Sequence, residues 1–354
     1  MKTGKTLGSL ARELERQAKA KKDYLVDTRL MRMETTGGVS RLNIPINGDT
    51  ESLGINDIAT RQIADRLKIP AGYYDRMKAE IPGLLDENVN AWFRQNPETR
   101  MVRTMDGQAR AFLSNRYRRI DNYELAGAVL PLLADARGVQ VVSCEVTERR
   151  MYIKVINKRM ELEVKRGDVV QSGIVISNSE VGLGALKIEP LVYRLVCTNG
   201  LIAADYSQRK YHIGRIAASE EEEALELFRD ETLEADDRAF LLKVQDTVKA
   251  AFDKAKFGLI VDSMRLATER QIEGDPIKAV EVLSERFQFS QVERSGIFRH
   301  LIQGGDLSGY GLVNAVTRTA QDSPNYDRAT ELERFGGQLL VLPQPDWRKI
   351  AEAA

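Results

Sequence analysis

Residues 139–157 read VQVVSCEVTERRMYIKVIN. In the first half Val142, Cys144 and Val146 alternate with Ser143 and Glu145, the period of a strand with one face on a core. That register predicts Cys144 inside and Ser143 and Glu145 outside. After the polar turn Glu148–Arg150, Met151, Ile153 and Val155 share one face, and Tyr152, Lys154, Ile156 and Lys158 share the other. Two such runs joined by a short polar turn predict a β-hairpin. This hairpin places a sheet at the centre of the chain, and the patterns on either side are mainly helical.

Downstream, SGIVISNSEVGLGALKIEPLVYRLVCTNGLIAA (172–204) adds apolar strands punctuated by Gly182, Gly184 and Gly200. The Gly182–Leu186 stretch GLGAL lacks the three spaced glycines of a dinucleotide loop and has strands on both sides, so its glycines fit a tight hairpin or a bulge. Thr198–Gly200 is a turn signal. Between Gly214 and Gly258 there is no glycine or proline, which predicts one long helix or two joined ones. Further helices are expected near 259–272, 276–287, 291–302 and 310–322. Upstream, Leu7, Leu10, Leu14 and Ala18 mark one face of a helix. Short extended pieces are expected at YLVDT (24–28) and RLNIPI (41–46). Residues 56–94 read as helices, capped by Asn56 or Asp57 and broken at Ile69–Pro70. The pair fits an αα-hairpin or a helix-turn-helix, although AGYYDRMKAE (71–80) carries no run of base-reading side chains.

The expected fold is therefore α+β: a central antiparallel-rich β-sheet flanked by helices, with a mostly helical C-terminal part. Its expected divisions are a mostly helical region 1–95, a β-rich core 96–215 and an acidic helical region 216–354.

Composition narrows the function classes. The 354-residue chain has no apolar run near the ~20 residues of a membrane span. Its charged opening is not that of a signal peptide. Two cysteines, Cys144 and Cys197, read as reduced thiols in a cytoplasmic protein. Two histidines and no Cys/His cluster argue against zinc and leave little supply of bases for nucleophilic catalysis. TGKT (3–6) lacks the upstream glycine and strand of a phosphate-binding loop. SEEEEALELFRDETLEADD (219–237) reads as a solvated acidic face rather than a magnesium site. No cofactor is expected.

Charge is uneven along the chain. Residues 216–354 hold 17 basic and 26 acidic side chains, leaving 35 and 26 in residues 1–215. Such asymmetry points to an anionic partner for the first part, or to attraction between halves or subunits. Two segments concentrate the positive charge. Residues 100–119 hold six arginines against Asp106, and residues 149–166 hold seven basic side chains against Glu161 and Glu163. Arginine forks match phosphate, and a tyrosine among them can stack an unpaired base. The candidate nucleic-acid contacts are Arg110, Arg116, Tyr117, Arg118, Arg119, Arg149, Arg150, Tyr152, Lys154, Lys158 and Arg159. The competing reading of RAFLSNRYRRIDNYEL (110–125) is a strand leading into a helix capped by Asp121, with Glu124 completing a capping box.

LKIPAGYYDRM (67–77), RAFLSNRYRRIDNYEL (110–125), GIVISNSEVGLGALKIEPLVYRLVCTNGLI (173–202) and GYGLVNAVTRTAQDSPNYDRATELERFGG (309–337) together resemble the phage- and plasmid-associated domain of unknown function 932 family, over about residues 20 to 340. The resemblance implies a mobile-element setting, where replication and recombination genes are common. By analogy it implies a single-strand DNA-binding or annealing protein that acts non-covalently, as a homo-oligomer such as a ring. The rival expectations are a protein that binds a host defence or replication factor, and a metal-dependent nuclease.

Overall fold

The computed structural model describes residues 1–46, 48–115, 117, 119–203, 212–213, 230–250 and 252–353. It is an α+β fold built on two six-stranded sheets.

The first sheet draws on β1 (Lys22–Asp27), β2 (Arg32–Thr36), β3 (Val39–Ile46), β4 (Asp49–Ile55), β5 (Thr99–Met105) and β6 (Gln108–Ser114), in the order β1-β5-β6-β4-β3-β2. All its pairings are antiparallel except β4 with β6. Helices α2 (Asp57–Arg66), α3 (Ala71–Glu80) and α4 (Pro82–Gln95) bury Ile63, Tyr74, Leu85 and Phe93 against one of its faces. Residues 57–80 are thus an αα-hairpin whose second helix commits Tyr74 and Met77 to the core. Because this sheet takes strands from both sides of residue 95, the first 95 residues are not a separate, mostly helical body.

The second sheet runs β11-β10-β9-β8-β7, with β12 (His212–Ile213) beside β10. Its strands are β7 (Val139–Val146), β8 (Met151–Lys165), β9 (Asp168–Asn178), β10 (Leu186–Arg194) and β11 (Gly200–Ile202), and every pairing is antiparallel. The hairpin of the opening stretch is β7–β8. Helices α1 (Leu7–Ala20), α5 (Asn122–Asp135) and α6 (Asp230–Ala250) cover one face, with Leu10, Leu14, Leu125 and Val244 against Cys144, Ile153 and Ile174. The C-terminal helices cover the other: α7 (Lys254–Glu269), α8 (Pro276–Phe287), α9 (Gln291–Gly304), α10 (Gly309–Asp322), α11 (Tyr326–Leu340) and α12 (Gln344–Ala351). Much of the acidic run 219–237 and the boundary near 215 lie outside the described residues.

The predicted register of β7 needs one correction. Cys144 and Val146 face the core as expected, and burial pushes the Cys144 thiol up to about 11. A bulge between Val141 and Ser143 makes Val142 an extra residue, so it joins Tyr152 and Ile156 on the opposite face. Ser143 is buried rather than exposed, and its hydroxyl sits 2.7 Å from that of Tyr326. Both cysteines are free thiols. Among the described residues no helix is long and apolar enough to cross a membrane.

Candidate nucleic-acid interface

The structure sorts the expected contacts into three groups. The first serves as a charged joint between the two sheets. Arg103 on β5, 1% exposed, donates to Asp23 on β1 at 2.8 Å, to Asp121 before α5 at 2.8 Å and to the Glu180 carbonyl at 2.9 Å. Arg110 on β6 pairs with the Glu180 carboxylate at 2.9 Å, Lys21 with Asp121 and Glu180, and Arg119 with Asp23 at 3.0 Å. The α5 N-terminus is satisfied by Glu180, which accepts from the Asn122 N–H at 2.6 Å. Asp121 makes no side-chain cap, because its carboxylate is engaged by Arg103 and Lys21. Tyr117, next to this joint, is half-buried against Leu113 and Val181, and its hydroxyl donates to the Ser179 carbonyl at 3.2 Å. Arg110 and Tyr117 are therefore structural, and Arg119 shares a carboxylate with Arg103. Arg116 and Arg118 lie outside the described residues.

The second group is interior. Lys154 is fully buried and pairs at 2.5 Å with Glu333 of α11, itself fully buried, under the ring of Tyr326 at 4.8 Å. Desolvation lowers the Lys154 pKa, and Glu333 opposes that shift. Tyr152, 1% exposed, donates to Asp327 at 2.8 Å and packs on Tyr326. Arg150 reaches across the β9–β10 turn to the Leu183 carbonyl. Lys154 and Tyr152 are thus closed off from a DNA strand, and the half-buried Arg150 is committed to that carbonyl. Their face of β8 alternates as a solvent face would, but α11 lies on it.

The third group stays at the surface: Arg149 in the β7–β8 turn, and Lys158 and Arg159 on β8. Two consecutive exposed cations are unusual on a strand, where neighbours point to opposite faces. The cause is a break in the β8–β9 ladder between Asn157 and Glu161. The Lys158 N–H bonds instead to the Gly138 carbonyl at 2.9 Å, and the Arg159 side chain lies against Gly138. This brings in exposed Arg137, which sequence reading missed because it stands alone between α5 and β7. Among the described residues, Arg137, Arg149, Lys158 and Arg159 have no carboxylate partner. From Arg159, β8 runs about 20 Å to Lys165. There it reaches the rim of a pocket of about 240 Å³ between the β10–β11 turn and helices α9 and α10.

No curated protein and no solved structure matches the chain. One family does match, over residues 111–335, which run from the middle of β6 through the second sheet to α11. The stretch 67–77 lies outside it. Since the match spans more than half of the chain, the protein belongs to the family described as Domain of unknown function (DUF932).

Proposed function

We propose that the protein binds single-stranded DNA non-covalently, through the exposed end of the β7–β8 hairpin. The observation that carries this reading is the ladder break that turns Lys158 and Arg159 outward beside Arg137, with no acid among the described residues to neutralise them. Uncompensated cations release counterions from a phosphate backbone on binding, which supplies sequence-independent affinity. One copy offers few such groups, so the proposal includes a cytoplasmic homo-oligomer that strings several hairpins along one strand and gains by avidity. The proposal extends to annealing during replication or recombination of a mobile element, the setting the family resemblance implies, since backbone repulsion would be reduced while bases stay free to pair.

The test is fluorescence anisotropy with a labelled oligothymidine over a range of salt concentrations. Each single-strand phosphate contact contributes about −0.7 to the slope of log affinity against log salt. The combined substitution Arg137→Ala, Lys158→Ala, Arg159→Ala should therefore flatten the slope by about 2. A wild-type protein that does not bind, or a triple variant with an unchanged slope, defeats the proposal.

A further inference from the structure

The pocket at the end of β8 lies away from the cations just described, and its charges do not balance. Lys165 is neutralised by Asp306 at 2.7 Å. Arg194 is held by both carboxylate oxygens of Asp168, at 2.7 and 2.6 Å, and a third guanidinium nitrogen meets the Cys197 sulfur at 3.2 Å. His300 shares Asp322 with Arg299. Arg318 on α10 differs: its guanidinium bonds only to the neutral amide of Gln321, and no carboxylate faces it among the described residues. The pocket therefore holds one uncompensated, half-buried guanidinium.

A second observation comes from Asn199, 3% exposed in the pocket wall. Its Nδ2 donates to Thr317 Oγ1 at 2.6 Å. The Thr317 hydroxyl already donates its single proton to the Val313 carbonyl at 3.0 Å, so it can only accept from Asn199, and this fixes the amide orientation. Asn199 Oδ1 is left buried with no partner among the described residues. A buried acceptor without a donor is destabilising, and such an orphan calls for an explanation. The turn that presents it is also strained: Thr198, β-branched, has φ +51°. Beside it Leu195 and Val196 expose apolar surface.

We propose that this pocket binds a sugar-phosphate unit, with the phosphate on Arg318 and a sugar hydroxyl donating to Asn199 Oδ1. The Arg318 guanidinium, with no carboxylate partner among the described residues, favours an anion, and its fork matches phosphate oxygens. The orphan acceptor, which repels an anion, fits a neutral donor, and a sugar hydroxyl supplies one. The volume of about 240 Å³ is below the range typical of drug-sized ligands and suits one ring with its phosphate. The unit can be a free sugar phosphate or the 5′-terminal residue of a nucleic-acid strand. The site does not depend on the β7–β8 hairpin as a DNA surface.

Cys197 supplies the readout, since it lines the pocket and is half-buried, whereas Cys144 is fully buried. Ribose 5-phosphate should slow iodoacetamide alkylation of Cys197 in the wild-type protein and raise its Tm, while ribose alone should do neither at the same concentration. Arg318→Gln should weaken the half-maximal protection about 10- to 100-fold, the value of a hydrogen bond to a charged group. Comparing a 5′-phosphorylated oligonucleotide with its 5′-hydroxyl form separates the two sources. Protection only by the phosphorylated strand assigns the pocket to a strand end, and stronger protection by the free compound assigns it to a small molecule. If neither phosphate compound protects Cys197 of the wild-type protein, or ribose protects equally well, the proposal is wrong. The triple substitution at Arg137, Lys158 and Arg159 should leave protection by ribose 5-phosphate unchanged, so failure of the hairpin reading and failure of this one are distinguishable.

Discussion

Lys154 shows how far a single residue can mislead. In MYIKVIN it occupies a polar position of an alternating strand, yet it is fully buried and paired with Glu333, 179 residues away. A buried pair is costly to assemble, and costlier to break, because the surviving charge has no solvent. Glu333→Leu or Lys154→Met alone should lower unfolding free energy by about 3–5 kcal/mol, while the double substitution should recover most of that loss. Urea denaturation of the three variants checks this, and a single variant within about 1 kcal/mol of the parent contradicts it. No period-two pattern could have revealed the pair. Alternation tells which side chains share a face, and it does not tell whether water or a second layer lies above that face.

Among the elements, α11 is the one the residues announced least, although it closes the second sheet. Its Gly336 and Gly337 allow the close approach: a side chain at Gly337 would meet the Ile202 carbonyl of β11, and one at Gly336 the Thr317 methyl of α10. Gly258 in α7 has nothing within 4 Å. Gly337→Ala should therefore destabilise by about 1–3 kcal/mol through overpacking. Gly258→Ala should stabilise by about 0.5–1 kcal/mol, because alanine is the better helix former. Opposite shifts of Tm in the two variants are the expected result. A turn signal was available for β2 and β5, which went unread beside the expected extended pieces of β3 and β6. Gly37 and Gly38, both at positive φ, join β2 to β3, and Asp106–Gly107, also both positive, join β5 to β6. Such pairs are the residues that type I′ hairpins demand.

At the scale of the whole molecule, the arginine-rich stretch proves to be part of the joint between two sheets, and ion pairs also link the oppositely charged parts of the chain: Lys154–Glu333, Lys165–Asp306 and Arg334–Glu189. In the joint, burial pushes the Asp121 carboxyl up, but the Arg103 guanidinium and the Lys21 ammonium outweigh it and hold it below the ordinary carboxylate range. A carboxyl with a depressed folded-state pKa contributes stability above its unfolded value of about 3.9, and loses it as pH falls through the folded value. Asp121→Asn should accordingly flatten the decline of the urea midpoint below about pH 4, with little change in slope between pH 5 and 7. An unaltered acid limb in the variant would remove Asp121 from the joint. Because the joint is mostly buried, its contribution should resist added salt better than that of the exposed pairs.

The α+β class, the β7–β8 hairpin, the glycine turn at Gly182–Gly184 and several C-terminal helices were legible in the residues, because period, breakers and caps act within a few positions of one another. The fate of the charges was decided only by tertiary structure. Arg110 and Arg119 face acids 70 and 96 residues away, at Glu180 and Asp23, and three of the basic side chains still at the surface, Arg137, Lys158 and Arg159, gather where the ladder is broken. A cation's availability depends on which carboxylate the fold brings within about 4 Å, and that distance is set by the packing of elements remote in sequence. The same holds for the pocket, where Arg318 has no carboxylate and the Asn199 oxygen no donor among the described residues.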